Sequence, residues 1–482
     1  MNIAYNYCLA FALLLAINGC KFTQYISKHK PIANPPETYT SQPSEHLDEL
    51  PSYQVFFKDS TLTGLITTAL KNNFDLQMSL QNIKLAKANI KMSSALGMPN
   101  VMAGASMGFK KFGNYTTDGV GNYDTRFSSN INDKQMIPET VIPDYLVGVS
   151  ATWELDVWKK LSNQKQMAFH KLLASQYGKN FNETLLVCEV ADLYFELLIL
   201  DNEQRFIDEN IQLQQYSLDI VTTLKQAGEA NELGVELLNA QLLNSKALKF
   251  EVKQQIFSNE SRINFLLGRY PQAIPRPSIS WENVLPPNFA TGVPSTLIKN
   301  RPDILQAEQE LLACNADLAS AKAAFYPTFT ISSGLGLQAF KALLLFDVGS
   351  FTYNLAGGLV APVFNRRQLK GNLMASNATQ QMAYFNYQKS IVNGFTEVYN
   401  CLNTLENMNQ TYTLKVEEVN TLKKSIGISA ELFKSGRATY LEVVTAQKNA
   451  LQSQVELINI KKKQFNAVIN LYKSIGGGWS KF

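Results

Sequence analysis

The chain has 482 residues, 45% of them hydrophobic and 17% charged, an ordinary balance for a protein that packs a core, and too long for one core to be expected. A formal net charge of +4 over this length excludes a polyanion-binding surface argued from charge, so no nucleic-acid partner is implied. Beyond the N-terminus no apolar run reaches 18 residues, which argues against a membrane-spanning helix in the mature chain and leaves other kinds of membrane contact open.

Residues 1–19 read as a signal peptide: the apolar run at 8–17 has the length of a secretory h-region and is too short to span a bilayer. The run ends in Ile17-Asn18-Gly19-Cys20, which resembles the bacterial lipoprotein cleavage box with Cys20 as the acylated residue. An acyl chain there would anchor the N-terminus in lipid without crossing it. The alternative is a plain signal peptide beside an incidental cysteine. Residues 20–59 hold Pro31, Pro35, Pro36, Pro43 and Pro51 and read as an extended segment behind the anchor.

Residues 60–270 form a first repeat. A helical stretch ends at Pro99, and an alternating run at 99–112 places Val101, Ala103, Ala105, Met107 and Phe109 on one face. A Gly-, Asn-, Asp- and Thr-rich segment, 113–143, follows with the composition of an exposed loop. A second alternating run, 144–155, sets Tyr145, Val147, Val149, Ala151, Trp153 and Leu155 against Gly148, Ser150, Thr152 and Glu154. Residues 159–226 contain no proline and are helix-compatible throughout, on the order of 100 Å at 1.5 Å per residue. They turn at Gly228 into a return helix.

After a linker at 271–292, residues 293–475 repeat the design, and 476–482 form a tail. The stretch VPSTLIKNRPDILQAEQELLACNADLASAKAAFYP, at 293–327, hands a helix directly to a strand; Pro302 suits the first helical turn, where its missing N–H has no partner to lose. Alternating runs follow at 327–338 and 351–361. In the next long segment Ile391, Val398, Leu405, Tyr412, Val419 and Ile426 recur every seven residues, with Asn409 and Lys423 as polar interruptions. Beyond Gly436 a return helix carries Leu441, Val444, Leu451, Val455, Ile458, Phe465, Ile469 and Tyr472 at similar spacing. That is the pattern of antiparallel coiled-coil packing. The chain is therefore two copies of helix, strand, loop, strand, long helix, turn, long helix.

Four strands of about ten residues, apolar on one side and small or polar on the other, match a transmembrane β-barrel. A soluble sheet with one buried face has the same period. Aromatic residues near the strand ends and a small, neutral second face favour the membrane. Four strands are too few to close a barrel, and an open sheet leaves unpaired backbone in lipid, so several chains must join.

These features together make the chain similar to the TolC-like outer-membrane factors, and most of all to their lipoprotein branch, the NodT/OprM/CusC-like channels of tripartite RND efflux systems. The residues that carry the resemblance are the 293–327 stretch, APVFNRRQLKG at 361–371, YLEVVTAQ at 440–447 and LYKSIGGGW at 471–479. The resemblance implies an α+β membrane protein: a homotrimer, with a 12-stranded outer-membrane barrel of four strands per chain continued by a periplasmic tunnel of twelve helices. It implies passive conduction, driven by an inner-membrane RND pump through a periplasmic adaptor. It makes the two inter-helix turns the periplasmic tip, gate and adaptor contact, with Lys225, Gly228, Glu229, Glu232, Lys434, Gly436 and Arg437 as its candidate residues. Relatives often carry an acidic residue two positions after the second tip glycine; here Ala438 stands there, so a carboxylate constriction falls to Glu229 and Glu232.

No catalytic grouping, cofactor or metal site is expected. Cys188, Cys314 and Cys401 are isolated and odd in number, and His29, His46 and His170 are scattered. Met98, Met102 and Met107 are close in sequence, but the last two fall on opposite strand faces, which fits core or lipid contact. Two other classes stay open: a channel for type I protein secretion, and a non-conducting coiled-coil surface protein.

Overall fold

The computed structural model describes residues 52–138, 141–277, 300–362 and 366–479. The expected signal peptide, Cys20, the extended segment as far as residue 51, most of the linker and the first part of the 293–327 stretch lie outside the described residues. In chain order the helices and strands are α1 (Tyr53–Phe56), α2 (Ser60–Asn72), α3 (Phe74–Ala95), β1 (Asn100–Lys110), α4 (Thr117–Asp124), β2 (Ile142–Leu155), α5 (Lys160–Gln226), α6 (Glu232–Leu266), α7 (Pro302–Ala323), β3 (Thr328–Ala339), β4 (Phe351–Val360), α8 (Arg366–Lys434) and α9 (Tyr440–Ser474). They fall into two compact units. One comprises Leu85–Leu172 and Glu310–Tyr384; the other takes the described parts of Ile32–Lys84, Leu173–Gln309 and Phe385–Phe482.

The first unit is built on an antiparallel meander in the order β1-β2-β3-β4. Residues directly opposite one another share a face. The register therefore joins Ala103, Val149, Leu335 and Tyr353 into one apolar row, and Ala105, Val147, Leu337 and Phe351 into the next. The other face runs through Met102, Ser150, Gly334 and Asn354, then Gly104, Gly148, Gly336 and Thr352. The two faces stay distinct over all four strands because the side-chain period is two. The segment between β1 and β2 is not bare loop: Thr116 caps α4, its hydroxyl accepting from the Gly119 N–H at 3.1 Å. This loop is tied to the β3–β4 loop by Lys341 Nζ, which donates to the Asp133 carbonyl at 2.7 Å.

The second unit holds a hydrophobic core shared by both repeats. Phe195 of α5 stacks on Phe465 of α9 at 4.7 Å, and Phe56 stacks on Tyr472 at 4.2 Å. Asp59 caps α2 by accepting from the Thr61 N–H at 2.7 Å, and its second oxygen accepts from the buried Tyr194 hydroxyl at 2.7 Å. Of the α8 heptad positions Val398 and Val419 are buried and Ile391, Leu405, Tyr412 and Ile426 half-buried, and the polar interruption Asn409 accepts from Gln464 Nε2 of α9 at 2.8 Å.

Candidate functional site

The sheet and the inter-helix turns are the two places where the fold sets out chemistry. The sheet curls around its small and polar face, enclosing a hollow of about 600 Å³ lined by Gly104, Ser106, Gly148, Ser150, Gly334 and Asn354 among others. Gly148 and Gly336 pair within it, and a Cβ on either would stand 2.6 Å from a carbonyl oxygen of the neighbouring strand. Only glycine fits that close approach. The apolar face is the convex one. On it the sheet carries Tyr145, Phe351 and Tyr353 near the loop end and Trp153 and Phe329 near the helix end. The eight residue-to-residue steps from Tyr145 to Trp153 span about 27 Å at about 3.4 Å each. Two indole N–H groups fix the strand–helix junctions: Trp153 donates to the Gly97 carbonyl at 3.0 Å, and Trp158 to that of Pro327 at 2.8 Å while stacking on Tyr326 at 4.8 Å. Lengthwise, then, this is a lipid-matched outer surface over a wettable inner one.

The two turns are built alike. Gly228 has φ +82 and Gly436 φ +69, the left-handed region. In the first turn the Glu229 N–H donates to the Leu224 carbonyl at 2.9 Å and the Gly228 N–H to that of Lys225 at 3.0 Å. In the second, Arg437 donates to Leu432 at 2.9 Å and Gly436 to Phe433 at 3.0 Å. Both are Schellman closures, in which glycine lets the chain double back and satisfies the last carbonyls. Asn231 then caps α6 and Thr439 caps α9, the latter with Glu442 completing a capping box.

The structure brings the seven predicted turn residues into two exposed turns that meet one another. Gly234 of α6 lies against the Tyr440 ring of α9, where a Cβ would be 3.0 Å from a ring carbon. Lys225 forms an ion pair with Glu232, so that carboxylate is already matched. Glu229 and Arg437 are exposed, and Lys434 borders an apolar cavity of about 80 Å³ lined by Tyr216, Leu238, Ile426, Phe433 and Val443. Such a void leaves the helix ends room to shift.

In Arg301-Pro302-Asp303 the amino-acid order accounts for Pro302, at the helix start; the structure gives Arg301 its role. Arg301 is 3% exposed. It makes a bidentate pair with Asp303 at 3.0 and 2.7 Å, reaches Glu397 of α8 at 2.7 Å, and donates to the Ser474 carbonyl that ends α9 at 3.0 Å. Burial works against its charge, yet Asp303 and Glu397 together hold its pKa above the ordinary arginine range. The first repeat does this with a neutral group: Asn73 Nδ2 donates to the Leu266 carbonyl at 3.1 Å, and Asn73 Oδ1 caps α3. Asp192, which parallels Glu397, therefore has no guanidinium. Burial lifts its pKa to about 7, Lys473 lowers it in part, and Glu196 and Glu189 raise it further. The signal for Arg301 was in the sequence, an arginine directly before a helix-starting proline with Asp303 two residues on, but its other two partners, Glu397 and Ser474, are far away along the chain.

The family model described as outer membrane efflux protein matches two segments of this chain, 65–269 and 293–477. The cation efflux system protein CusC of Escherichia coli O6:H1 is 24% identical over 478 residues, covering 98% of this chain and 99% of that protein. The solvent efflux pump outer membrane protein SrpC of Pseudomonas putida is 28% identical over 439 residues, covering 89% and 88%. Among solved structures, the CmeC outer membrane channel of Campylobacter jejuni aligns with a TM-score of 0.81 at 21% identity, covering 94% of each chain.

Proposed function

Because the chain belongs to the outer membrane efflux protein family, we propose that three copies close one twelve-stranded barrel in the outer membrane and conduct efflux substrates passively through it. The observation that carries this reading is the curved meander, apolar outside and small or polar inside, with β1 and β4 each paired on one side only among the described residues. In lipid an unpaired strand edge has no water to bond, and each orphaned backbone group costs several kcal/mol. Pairing β4 of one copy with β1 of the next removes both edges. Four strands are below the eight of the smallest barrels, and three copies reach twelve.

The inner face then lines a water-filled passage, and the long helices form the periplasmic part of the protein. The turns at Gly228 and Gly436 form the periplasmic end, where an adaptor couples the channel to an inner-membrane pump that supplies the energy. Glu229 and Glu232 provide the negative charge of the constriction, with Glu229 the stronger contributor because Lys225 partly neutralises Glu232. Cys20, as an acylated residue, holds the N-terminus in the membrane.

The test is to purify the protein from outer membranes in detergent, weigh it by native mass spectrometry and insert it into planar bilayers. Mass of three chains with stepwise, cation-selective conductance is expected. A monomer soluble without detergent, or a trimer that conducts no ions, would overturn the proposal.

A further inference from the structure

We infer that the cavity enclosed by the four long helices beside the turns is a binding site for a small molecule with an apolar body and a single hydrogen-bond donor, the chemistry of a phenol. The inference goes beyond the channel reading, since the site lies within one chain and needs neither a pore nor a pump.

Each of the four helices gives the cavity a wall. α5 supplies the buried Val221, α6 the buried Leu238, α8 Ala430 and α9 the buried Val443. The volume is about 80 Å³. One water needs roughly 10–15 Å³, so the space holds about five to eight atoms of that size. Packed interiors keep few voids larger than a single water, and this one lies among closely packed helices. Walls this apolar give several waters too few partners. Cavities of that kind stay dry and accept small apolar guests, a single aromatic ring among them.

One group in the wall is polar and out of reach of solvent. Gln447 of α9 is 1% exposed. Its Nε2 donates to Ser217 Oγ of α5 at 2.9 Å, and that hydroxyl gives its own hydrogen to the Leu213 carbonyl at 3.0 Å. The hydroxyl therefore has no hydrogen to return, and Gln447 Oε1 has no hydrogen-bond partner among the described residues. Both side chains line the cavity, so the orphaned oxygen is the acceptor that the space presents. A buried carbonyl without a donor is unfavourable. A guest that brings one O–H or N–H relieves it while the rest of the guest covers the apolar walls. A single water would satisfy the oxygen and leave most of the volume empty. An anion brings no hydrogen to it at all. A guest touching all four helices also favours the arrangement in which the cavity exists.

The experiment titrates 4-fluorophenol, and fluorobenzene as its donor-free counterpart, into the purified full chain in detergent and follows each probe by fluorine NMR. Saturable binding of 4-fluorophenol at one site per chain is expected, roughly 3- to 10-fold tighter than fluorobenzene, the contribution of one hydrogen bond. Gln447→Leu is expected to bring the two probes to equal affinity. Ala430→Leu and Val443→Phe fill the space from different helices, and each is expected to abolish saturable binding while partitioning into detergent persists; should one of them fail to fold, the other carries the comparison. No saturable binding to the unaltered protein, the result also expected if a lone water occupies the space, overturns the site. Binding that survives the filling variants overturns it too. Equal affinity of the two probes for the unaltered protein overturns the part given to Gln447, and with it the phenol class.

Discussion

Arg301 Nη1 donates to the backbone carbonyl of Ser474 at 3.0 Å, so the residue just before α7 closes the end of α9. The same guanidinium is shared with Asp303 and Glu397, and all of it is buried. Removing one partner of such a group leaves uncompensated charge behind, at a cost of about 3–5 kcal/mol. Arg301→Met is expected to lose about that much, and Arg301→Lys nearly as much, because an ammonium cannot make the fork. Asn73→Ala, which breaks the neutral counterpart, is expected to lose only about 1–3 kcal/mol. Thermal unfolding of the three variants in detergent checks the order.

Glycines that end the long helices divide by what surrounds them. Gly228 and Gly436 have positive φ with open space around the Cβ position, whereas Gly268 and Gly476 have positive φ and a carbonyl oxygen 2.8 and 2.5 Å from that position. Alanine at the first two is expected to cost about 1 kcal/mol, from backbone conformation alone. At the second two a real clash adds to it, and the loss is expected to exceed about 2 kcal/mol. Melting temperatures of the four single variants measure the difference; equal shifts would refute it.

Asp192 makes stability depend on pH. Its folded pKa of about 7 lies above the ordinary 3.8, because burial disfavours the carboxylate more than Lys473 of α9 supports it. The folded state therefore holds this proton more tightly than the unfolded chain does. The penalty is absent below pH ~4, grows as the pH rises toward 7 and levels off above. Asp192→Asn is expected to raise the melting temperature by roughly 2–6 °C at pH 8 and to leave it nearly unchanged at pH 4. A pH-independent difference would count against the assignment.

At the turns, Glu229→Ala combined with Glu232→Ala is expected to raise single-channel conductance and reduce cation selectivity by roughly twofold or more. Since Lys225 already pairs with Glu232, Glu229→Ala alone should account for most of the change. Conductance and selectivity unaltered in planar bilayers would rule out a carboxylate constriction there.

The duplication, the four alternating strands and the heptads were all legible in the amino-acid order. Each is a periodic pattern within some tens of residues, and a period of two or three and a half is imposed by backbone geometry before any tertiary contact forms. Gly228 and Gly436 could be picked out in the same way, as breaks in the pattern. What the order could not convey was which distant groups meet: that Arg301 would find Glu397 and the end of α9, and that Asn73 would replace it in the other repeat, meet the end of α6 and leave Asp192 without a guanidinium. Those pairings join residues far apart in the chain, and they exist only once packing has fixed the helices side by side, because a charge–charge or hydrogen-bond contact is decided within a few ångströms and carries no trace in local spacing. The faces of the sheet were fixed by alternation; which of them is convex was decided by curvature, through the close approach of strands at Gly148 and Gly336.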